Sequence, residues 1–452
     1  MRHAPAAAGI PAASLALCAA ATGCALQVNF GQYHPVALAW LTVAVGGVAL
    51  CVAKPRLRFI RALEARGSYV FALALATQFA LLMLRSPGAI SEASLTPFRV
   101  GAATAAALCG VGLVAHGRWR LAALGTVLLV HALLGLWVLR SSPQPGVDVC
   151  LFQRDAAAAL LQGQNPYAIT FRDPYADSTR FYGPGVSVGG RLQFGYPYPP
   201  LILLLVAPAH WLGDFRYAQW AAMTLAGAFV ALARPGRIGF AAAMLLLFTP
   251  RGFFVLEAGW TEPFAVLFLA ATVFAACRSP RQLPVPLGLF LASKQYLVLA
   301  LFATPLLPFR RERDRLASLL KAAMVVGIVT LPLALWDVTA FVHSAVLLQF
   351  HQPFRDDALS YLVPLKQALG VQAPAWVAFA LAGAAVLLAV RKAPRTPAGF
   401  ATAVAAVLLA FFAFNKQAFC NYYHLVIGAL CCAAGATPAL PRTRPPDGAE
   451  TT

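Results

Sequence analysis

The sequence predicts an all-α polytopic membrane protein. Of its 452 residues, 60% are hydrophobic and only 11% are charged, and the mean hydropathy is +0.71. A soluble domain carries roughly 25% charged residues, so the chain has too little polar surface for that class. Backbone groups inside a bilayer must be satisfied within the spanning structure, and the Ala-, Leu-, Val- and Phe-rich composition favours helices over a barrel.

The net charge of +19 indicates orientation in the membrane rather than a nucleic-acid partner. The basic residues form short clusters between apolar runs, at 54–66, 118–120, 234–237, 278–281, 310–315, 391–395 and 442–444. Clusters of this kind favour the cytoplasmic side. Arg outnumbers Lys by 29 to 6, and Ala and Pro are abundant, which is typical of a GC-rich bacterial genome. We therefore predict a multi-pass protein of the bacterial inner membrane.

Apolar runs at 10–27, 35–53, 67–85, 98–116 and 121–139 predict five spans before the first long polar stretch. The start of the chain, up to Cys24, loosely resembles a signal segment, but we interpret it as an uncleaved first helix. With the N-terminus inside, five crossings place the polar stretch 141–197 outside. This predicted extracytoplasmic loop holds four of the sixteen acidic residues: Asp148, Asp155, Asp173 and Asp177.

Further apolar segments bring the expected total to about thirteen transmembrane helices. They lie at 198–212, 217–233, 238–256, 264–277, 283–308, 316–335, 375–390, 398–414 and 421–436. Residues 283–308 begin and end on the inside, so two half-spans with Lys294 near their tip are expected. An odd number of crossings must connect the outer loop to Arg234, so the Pro-rich 197–208 stretch is expected to be re-entrant or partial.

Asp148 begins the stretch DVCLFQRDAAAALLQGQNPY, whose apolar residues recur at three and four positions. This pattern predicts an amphipathic helix in the membrane interface. A carboxylate there can act as a general base, or it can simply cap the helix as its N-cap residue. The sequence alone leaves both interpretations open.

Three segments in order carry a resemblance to a known family: DVCLFQRDAAAALLQGQNPY, FGYPYPPLILLLVAP and LASKQYLVLALFATPLL. Over roughly residues 125–430 the chain resembles the bacterial polyprenol-phosphate-mannose-dependent mannosyltransferases, glycosyltransferase family 87, which have the GT-C fold. The resemblance implies inverting transfer of a sugar, mannose in the best-known case, from a polyprenyl-phosphate donor. It also implies that Asp148 is the general base, that YPYPP lines the access to the site, and that Lys294 faces the donor phosphate.

The same resemblance divides the chain into a four-helix N-terminal addition (1–120), a GT-C-like catalytic module (121–436) and a cytoplasmic tail (437–452). The acceptor is expected to be an extracytoplasmic glycolipid or glycan. Its identity is expected to depend on the loop 167–196, which departs from the family pattern in being longer and richer in Gly and Arg. The sequence has no DxD pair, CxxC pair or clustered His/Asp ligands, so we predict no metal and no cofactor.

Lys294 is also the predicted phosphate ligand on physical grounds. A lysine inside an apolar stretch costs about 2.5–3.5 kcal/mol, so it usually has a partner or a function, although its head group can also snorkel to the interface. A departing phosphate needs positive charge, and Arg355 and Lys416 are further candidates. Arg355 could instead pair with Asp356 or Asp357 in a solvated loop, and Lys416 could snorkel.

The predicted substrate-binding residues lie near the same outer boundary. They are Tyr196, Tyr198, Gln295, His351, Glu262, Trp260 and His424. Polar side chains can hydrogen-bond a sugar, and an aromatic face can stack on a hexose. The alternatives are interfacial anchors for the aromatic residues, a solvated loop for His351 and snorkelling for His424.

A transporter or flippase for a lipid-linked sugar is the competing class. Such a protein should place polar groups on a path to both faces, in repeated halves. Here the unusual polar groups gather on one side, and no internal repeat stands out. A non-enzymatic scaffold is a third possibility that the sequence leaves open.

Overall fold

The computed structural model describes residues 9–88, 90, 95–175, 181–309 and 311–438. Asp177 and all but the first two residues of the 437–452 tail lie outside the described residues. Almost all regular structure in the described part is helical. Among the described residues, five helices are long and apolar enough to cross a membrane: Pro35–Ala53, Gly67–Leu84, Thr96–Val114, Gly117–Ser141 and Glu312–Ala334. The prediction of an all-α membrane protein is confirmed at this level, while the count of thirteen spans stays a prediction.

The first six helices coincide closely with the five apolar runs, apart from the short basic third helix. They are α1 (Ala12–Val28), α2 (Pro35–Ala53), α3 (Arg58–Ala65), α4 (Gly67–Leu84), α5 (Thr96–Val114) and α6 (Gly117–Ser141). The short basic helix α3 lies in the predicted 54–66 cluster. Glu64 on α3 accepts hydrogen bonds from Ala13 N and Ser14 N at 3.1 and 2.9 Å, so this carboxylate satisfies amide groups at the start of α1.

The polar stretch after α6 contains a helix and a small sheet. Helix α7 (Asp148–Leu161) is followed by β1 (Phe171–Arg172), β2 (Ser187–Val188) and β3 (Arg191–Leu192), in the antiparallel order β1-β3-β2. The predicted helix is therefore confirmed, while its position in the membrane interface stays a prediction. Its N-cap residue is Val147 rather than Asp148, so the predicted capping role is wrong by one position, and Asp148 is the first residue of the helix.

Close contacts of Gly195 with Ser344 and Tyr167 fix the end of the polar stretch. Gly195 N donates to Ser344 Oγ at 2.8 Å, and Ser344 Oγ donates to Tyr167 O at 3.2 Å. A Cβ at Gly195 would lie 2.1 Å from Tyr167 O, so only glycine fits there. The backbone at Pro199 is extended, with φ −60° and ψ 150°, as consecutive prolines require.

The next helices contain two breaks. They are α8 (Pro200–Trp211), α9 (Arg216–Ala233), α10 (Arg237–Leu247), α11 (Gly252–Glu257), α12 (Glu262–Arg278), α13 (Pro284–Ala292) and α14 (Val298–Leu301). With 12 residues, α8 is about 18 Å long at 1.5 Å per residue and is shorter than a bilayer core of roughly 30 Å. This length agrees with the expected partial element.

One continuous segment over 238–256 was predicted, and this is wrong. The helix stops at Leu247 and restarts at Gly252. Pro250 cannot donate a backbone hydrogen bond, and Arg251 has a left-handed conformation with φ 68°. The predicted break inside 283–308 is confirmed, because α13 ends at Ala292 and Lys294 has an extended conformation before a short 3₁₀ turn.

The last helices close the bundle around the site. They are α15 (Glu312–Ala334), α16 (Val338–Phe341), a π-helical turn (Val342–Leu347), α17 (Leu348–His351), α18 (Leu362–Leu369), α19 (Trp376–Lys392), α20 (Pro397–Ala413) and α21 (Cys420–Gly435). Helix α21 is buried along nearly its whole length. It packs against α1, α10, α12 and α20, so the N-terminal helices contact the centre of the bundle directly.

Candidate functional site

A cavity of about 300 Å³ lies where α7, the 194–198 segment, the Lys294 break, α17 and the start of α21 meet. Its polar lining includes Asp148, Tyr175, Tyr182, Tyr198, Lys294, Gln349, Gln352, Arg355, Gln417, Asn421 and Tyr422. Trp260 and Phe254 line the same space. Five residues predicted from the sequence therefore meet here: Asp148, Tyr198, Trp260, Lys294 and Arg355.

Asp148 is held by two tyrosines from the polar loop. Its carboxylate accepts a hydrogen bond from Tyr182 Oη at 2.9 Å, while its backbone N donates to Tyr175 Oη at 3.2 Å. The other carboxylate oxygen accepts from Val149 N at 2.8 Å. Asp148 is half-buried and lines the cavity, and these hydrogen bonds orient its carboxylate.

Burial is the largest influence on Asp148 and raises the pKa of its carboxyl group above the ordinary value. The hydrogen bond from Tyr182 acts in the opposite direction, followed by the Val149 amide and the positive charge of Arg355. Burial, and then the neighbouring Asp148 charge, raise the pKa of the Tyr182 hydroxyl, so Tyr182 stays protonated and donates. A carboxylate with a raised pKa is a stronger base than an exposed one.

Tyr182→Phe is expected to shift the pH dependence of any reaction that uses Asp148 as a base. The substitution removes a hydrogen bond that lowers the pKa of Asp148, so that pKa rises further. A base must be deprotonated, and the acid limb of the kcat/KM profile therefore moves to higher pH. A profile of kcat/KM against pH measures this shift. An unchanged acid limb would show that Tyr182 does not influence the pKa of Asp148. Tyr217→Phe is the control, because Tyr217 does not line the cavity.

Lys294 has a buried acidic partner. Its Nζ lies 2.9 Å from Glu262 Oε1, and the side chains are 7% and 0% exposed. Tyr296 Oη donates to the same carboxylate oxygen at 3.1 Å. The ammonium also lies 4.6 Å from the centre of the Tyr198 ring, within cation–π range. Lysine has three N–H donors, so Lys294 can bind an anion while it keeps the Glu262 contact.

The backbone around Tyr198 is fixed by two glutamines. Pro197 O accepts from Gln295 Nε2 at 2.9 Å and from Gln349 Nε2 at 3.2 Å. The proline-rich segment has few backbone N–H donors. The two glutamine side chains therefore supply the hydrogen bonds that the backbone does not give to the Pro197 carbonyl. The YPYPP motif thereby places the Tyr198 ring against Lys294.

A second, larger cavity of about 810 Å³ adjoins the first. Most of its lining is apolar: Val298, Leu299, Ala345, Val346, Phe350, Phe354, Leu362, Ala378, Phe379, Phe411 and Phe414. Six residues line both cavities: Tyr198, Lys294, Gln349, Gln352, Gln417 and Tyr422. The polar groups that separate the two spaces thus include the buried cation.

The other two predicted phosphate ligands are both engaged within the loop region. Arg355 makes a two-point contact with Asp357, at 2.9 and 2.8 Å. The ion pair of the predicted alternative is therefore present, but its side chains are only 13% and 12% exposed, so the pair is not solvated as that alternative expected. Arg355 nevertheless lines the small cavity. Lys416 donates to Phe350 O at 3.1 Å and also to Gln352 O, and it lines the large cavity.

Four predicted substrate-binding residues line neither cavity: Tyr196, Glu262, His351 and His424. Tyr196 and His424 are fully buried in the bundle, because α21 and the 194–198 segment pack these side chains inward. The alternative of a snorkelling His424 side chain is therefore wrong. Glu262 is buried as the partner of Lys294, and His351 is exposed with its ring against Leu347 O. Gln295 lines the large cavity but is held by Pro197 O and Ala345 O.

Several residues that line the small cavity were not predicted from the sequence. Tyr175 and Tyr182 are separated from Asp148 by at least 27 residues and meet it only through the fold of the loop. Their position in the one long polar stretch was the available signal. Phe30 and Gln32, from the loop between α1 and α2, also line the small cavity, and no motif pointed to them. Among the described residues no group of three His, Cys, Asp or Glu side chains could hold a metal ion.

The fold and the cavities together define a helical membrane protein with a polar pocket that adjoins an apolar one. Comparison with known proteins adds nothing to this class, because no family model, no curated protein and no solved structure matches the chain. The resemblance to family 87 therefore stays a prediction.

Proposed function

We propose that the protein is an inverting glycosyltransferase that moves a sugar, with mannose the first candidate, from a polyprenyl-phosphate donor to a glycolipid or glycan acceptor. The supporting observation is that a carboxylate with a raised pKa and a buried cation line the same cavity. The cation also lines an adjoining apolar cavity. This arrangement suits a substrate that has a sugar, a phosphate and a long lipid chain in that order.

In the proposed reaction the acceptor hydroxyl attacks the anomeric carbon of the donor sugar. Asp148 takes the hydroxyl proton as the new carbon–oxygen bond forms. The bond between the anomeric carbon and the phosphate oxygen breaks, and its electron pair leaves with the polyprenyl phosphate. Lys294 stabilises the negative charge that develops on this phosphate. Attack from the face opposite the leaving group inverts the anomeric centre.

The large cavity is the proposed site of the donor lipid. Its apolar lining offers the lipid chain van der Waals contacts. Because the chain otherwise lies in lipid or detergent, packing rather than transfer from water would stabilise it there. The phosphate would then lie at the residues shared by both cavities, beside Lys294. The sugar would extend into the small cavity toward Asp148.

The decisive experiment is a transfer assay with the purified protein in detergent or nanodiscs. Radiolabelled mannosyl-phosphate-undecaprenol is supplied with a cell-envelope glycolipid extract, and products are identified by mass spectrometry. Release of polyprenyl phosphate together with a new glycosidic product would support the proposal. Movement of intact donor across proteoliposomes without any such product would support a flippase instead.

Val346→Trp is expected to discriminate between donors by chain length. Val346 lines the large cavity and its side chain is 39% exposed, so an indole can be accommodated there without disturbing the core. If it displaces part of the lipid chain, the lost packing raises KM for an undecaprenyl donor severalfold. KM for a short citronellyl donor should not change. Val338→Trp, 53% exposed and outside both cavities, is the matched control, and an equal effect on both donors would contradict this lipid site.

A further inference from the structure

The loop between α1 and α2 reaches the small cavity from the N-terminal part of the chain. Phe30 and Gln32 both line this cavity. The side chain of Phe30 is 39% exposed, and Gln32 is exposed as well. Residues that both line a cavity and contact the surroundings mark its opening, so this loop lies at a mouth of the cavity.

The loop is fixed in place by contacts on two sides. Gln32 forms a β-bridge with Ala358, and Tyr33 N donates to Asp357 O at 2.9 Å. Gly31 has φ +74°, and a Cβ there would lie 2.6 Å from the backbone of Cys420 at the start of α21. The loop therefore packs directly against Arg355's partner Asp357 on one side and against α21 on the other.

Phe30 begins a line of three aromatic rings along the cavity. The ring centres of Phe30 and Phe254 are 5.3 Å apart, and those of Phe254 and Trp260 are 5.1 Å apart, both edge to face. All three residues line the small cavity. The buried guanidinium of Arg251 lies 3.6 Å from the centre of the Phe30 ring and donates to Ser86 O at 2.8 Å. These contacts fix the orientation of the outermost ring.

We infer that Phe30, Gln32 and Trp260 form the subsite for the terminal sugar of the acceptor. The inference rests on the proposed function, in which the donor phosphate lies at Lys294 and the donor lipid in the large cavity. Phe30, Gln32 and Trp260 line the small cavity and not the large one, so they lie away from the proposed site of the donor lipid. An aromatic wall offers the apolar face of a sugar ring a stacking surface, and the Gln32 amide offers a donor and an acceptor for its hydroxyls.

The inference gives the N-terminal helices a role that no sequence motif suggested. They would not be a separate addition but would supply one wall of the acceptor subsite. The acceptor hydroxyl would enter beside the loop and reach Asp148, which lines the same cavity. Water that enters the same way would hydrolyse the donor slowly, so donor hydrolysis reports the donor half of the site separately from the acceptor half.

The test compares sugar transfer with donor hydrolysis in Gln32→Ala and Phe30→Leu. The probes are mannosyl-phosphate-undecaprenol as donor and a panel of octyl mannoside, glucoside and galactoside as acceptors. Loss of one hydrogen bond should raise the acceptor KM of Gln32→Ala about 3- to 10-fold. Phe30→Leu keeps apolar volume over Arg251 but removes the ring, and a similar rise is expected. The donor KM and the rate of donor hydrolysis should stay at the wild-type values in both variants.

Gln164→Ala is the matched control, since Gln164 is exposed and lines neither cavity. Wild-type acceptor KM in both loop variants, while the wild type transfers sugar, would overturn this inference and leave the proposed function intact. An equal change in acceptor KM and donor hydrolysis would also overturn it, because the loop would then act on the whole site. If the wild-type protein shows no sugar transfer and no donor hydrolysis, both the proposed function and this subsite are overturned.

Discussion

Asp148→Asn is expected to reduce sugar transfer by about 10²- to 10⁴-fold, the contribution typical of a positioned general base. Asn has nearly the same shape and can still accept from Tyr182, but its amide cannot take a proton from the acceptor. The donor KM should change little, because the phosphate is bound at Lys294. Initial rates of transfer from a radiolabelled lipid-phosphate donor measure the loss.

The same substitution should not destabilise the protein. Burial raises the pKa of Asp148, so the folded state disfavours the ionised carboxyl, whereas the unfolded chain ionises it near the ordinary pKa. At pH values above this ordinary pKa, the ionisation of Asp148 lowers the free energy of unfolding. A neutral Asn avoids this cost, and the thermal midpoint at neutral pH should be unchanged or higher.

Asp155→Asn is the matched control for Asp148→Asn. Asp155 lies on the same helix, pairs with Arg154 at 2.9 Å on the exposed face, and does not line the cavity. An exposed pair of this kind contributes little, so both activity and thermal midpoint should remain at wild-type values. Full transfer activity in Asp148→Asn, or equal losses of activity in the two variants, would show that Asp148 is not the general base.

Lys294→Met is expected to abolish transfer and also to destabilise the protein, for two separable reasons. The lost ammonium can no longer stabilise the departing phosphate. The remaining Glu262 carboxylate is 0% exposed and loses its cation, which typically costs 3–5 kcal/mol for a buried pair. Thermal unfolding followed by size-exclusion chromatography in detergent would show the second effect.

The double variant Lys294→Met/Glu262→Gln separates the two effects. It removes both charges, and a neutral replacement of a buried pair is often tolerated. Its thermal midpoint should return toward the wild-type value while transfer remains absent. Recovery of both stability and activity would show that Lys294 only neutralises Glu262. Lys366→Met, at an exposed pair with Asp356, controls for loss of a lysine at the surface.

The sequence predicted a large part of the architecture, because helices in an apolar chain follow directly from hydrophobic runs. The limits of α2, α4 and α6 agree with the runs within a few residues. The break at Lys294 was also predictable, since a buried lysine flanked by short apolar segments is poorly suited to one continuous span. The break at 248–251 was missed, although Pro250 and the charged Arg251 interrupt the apolar run there.

The site was only partly predictable. Asp148 and Lys294 were predicted because the family resemblance implies roles for them and because a lysine is unusual inside an apolar segment. Tyr198 was predicted only from the YPYPP segment of that resemblance. Glu262 was predicted to bind the sugar, but it pairs with Lys294. Nothing in the sequence shows that the two residues meet. Tyr182 and Phe30 could not be found, because their contacts depend on how the polar loop and the α1–α2 loop fold onto distant helices.

The sequence by itself determined that the chain is helical and apolar, and where most helices begin and end, because these properties follow from composition and local periodicity. Only the tertiary structure decided which polar groups share a cavity. Asp148, Lys294 and Phe30 are far apart along the chain. Packing of α1 against α21, of α7 against α8, and of α12 against both α13 and α21 brings them to the same cavity. The energy of that packing depends on shape complementarity between distant surfaces, which no single stretch of sequence contains.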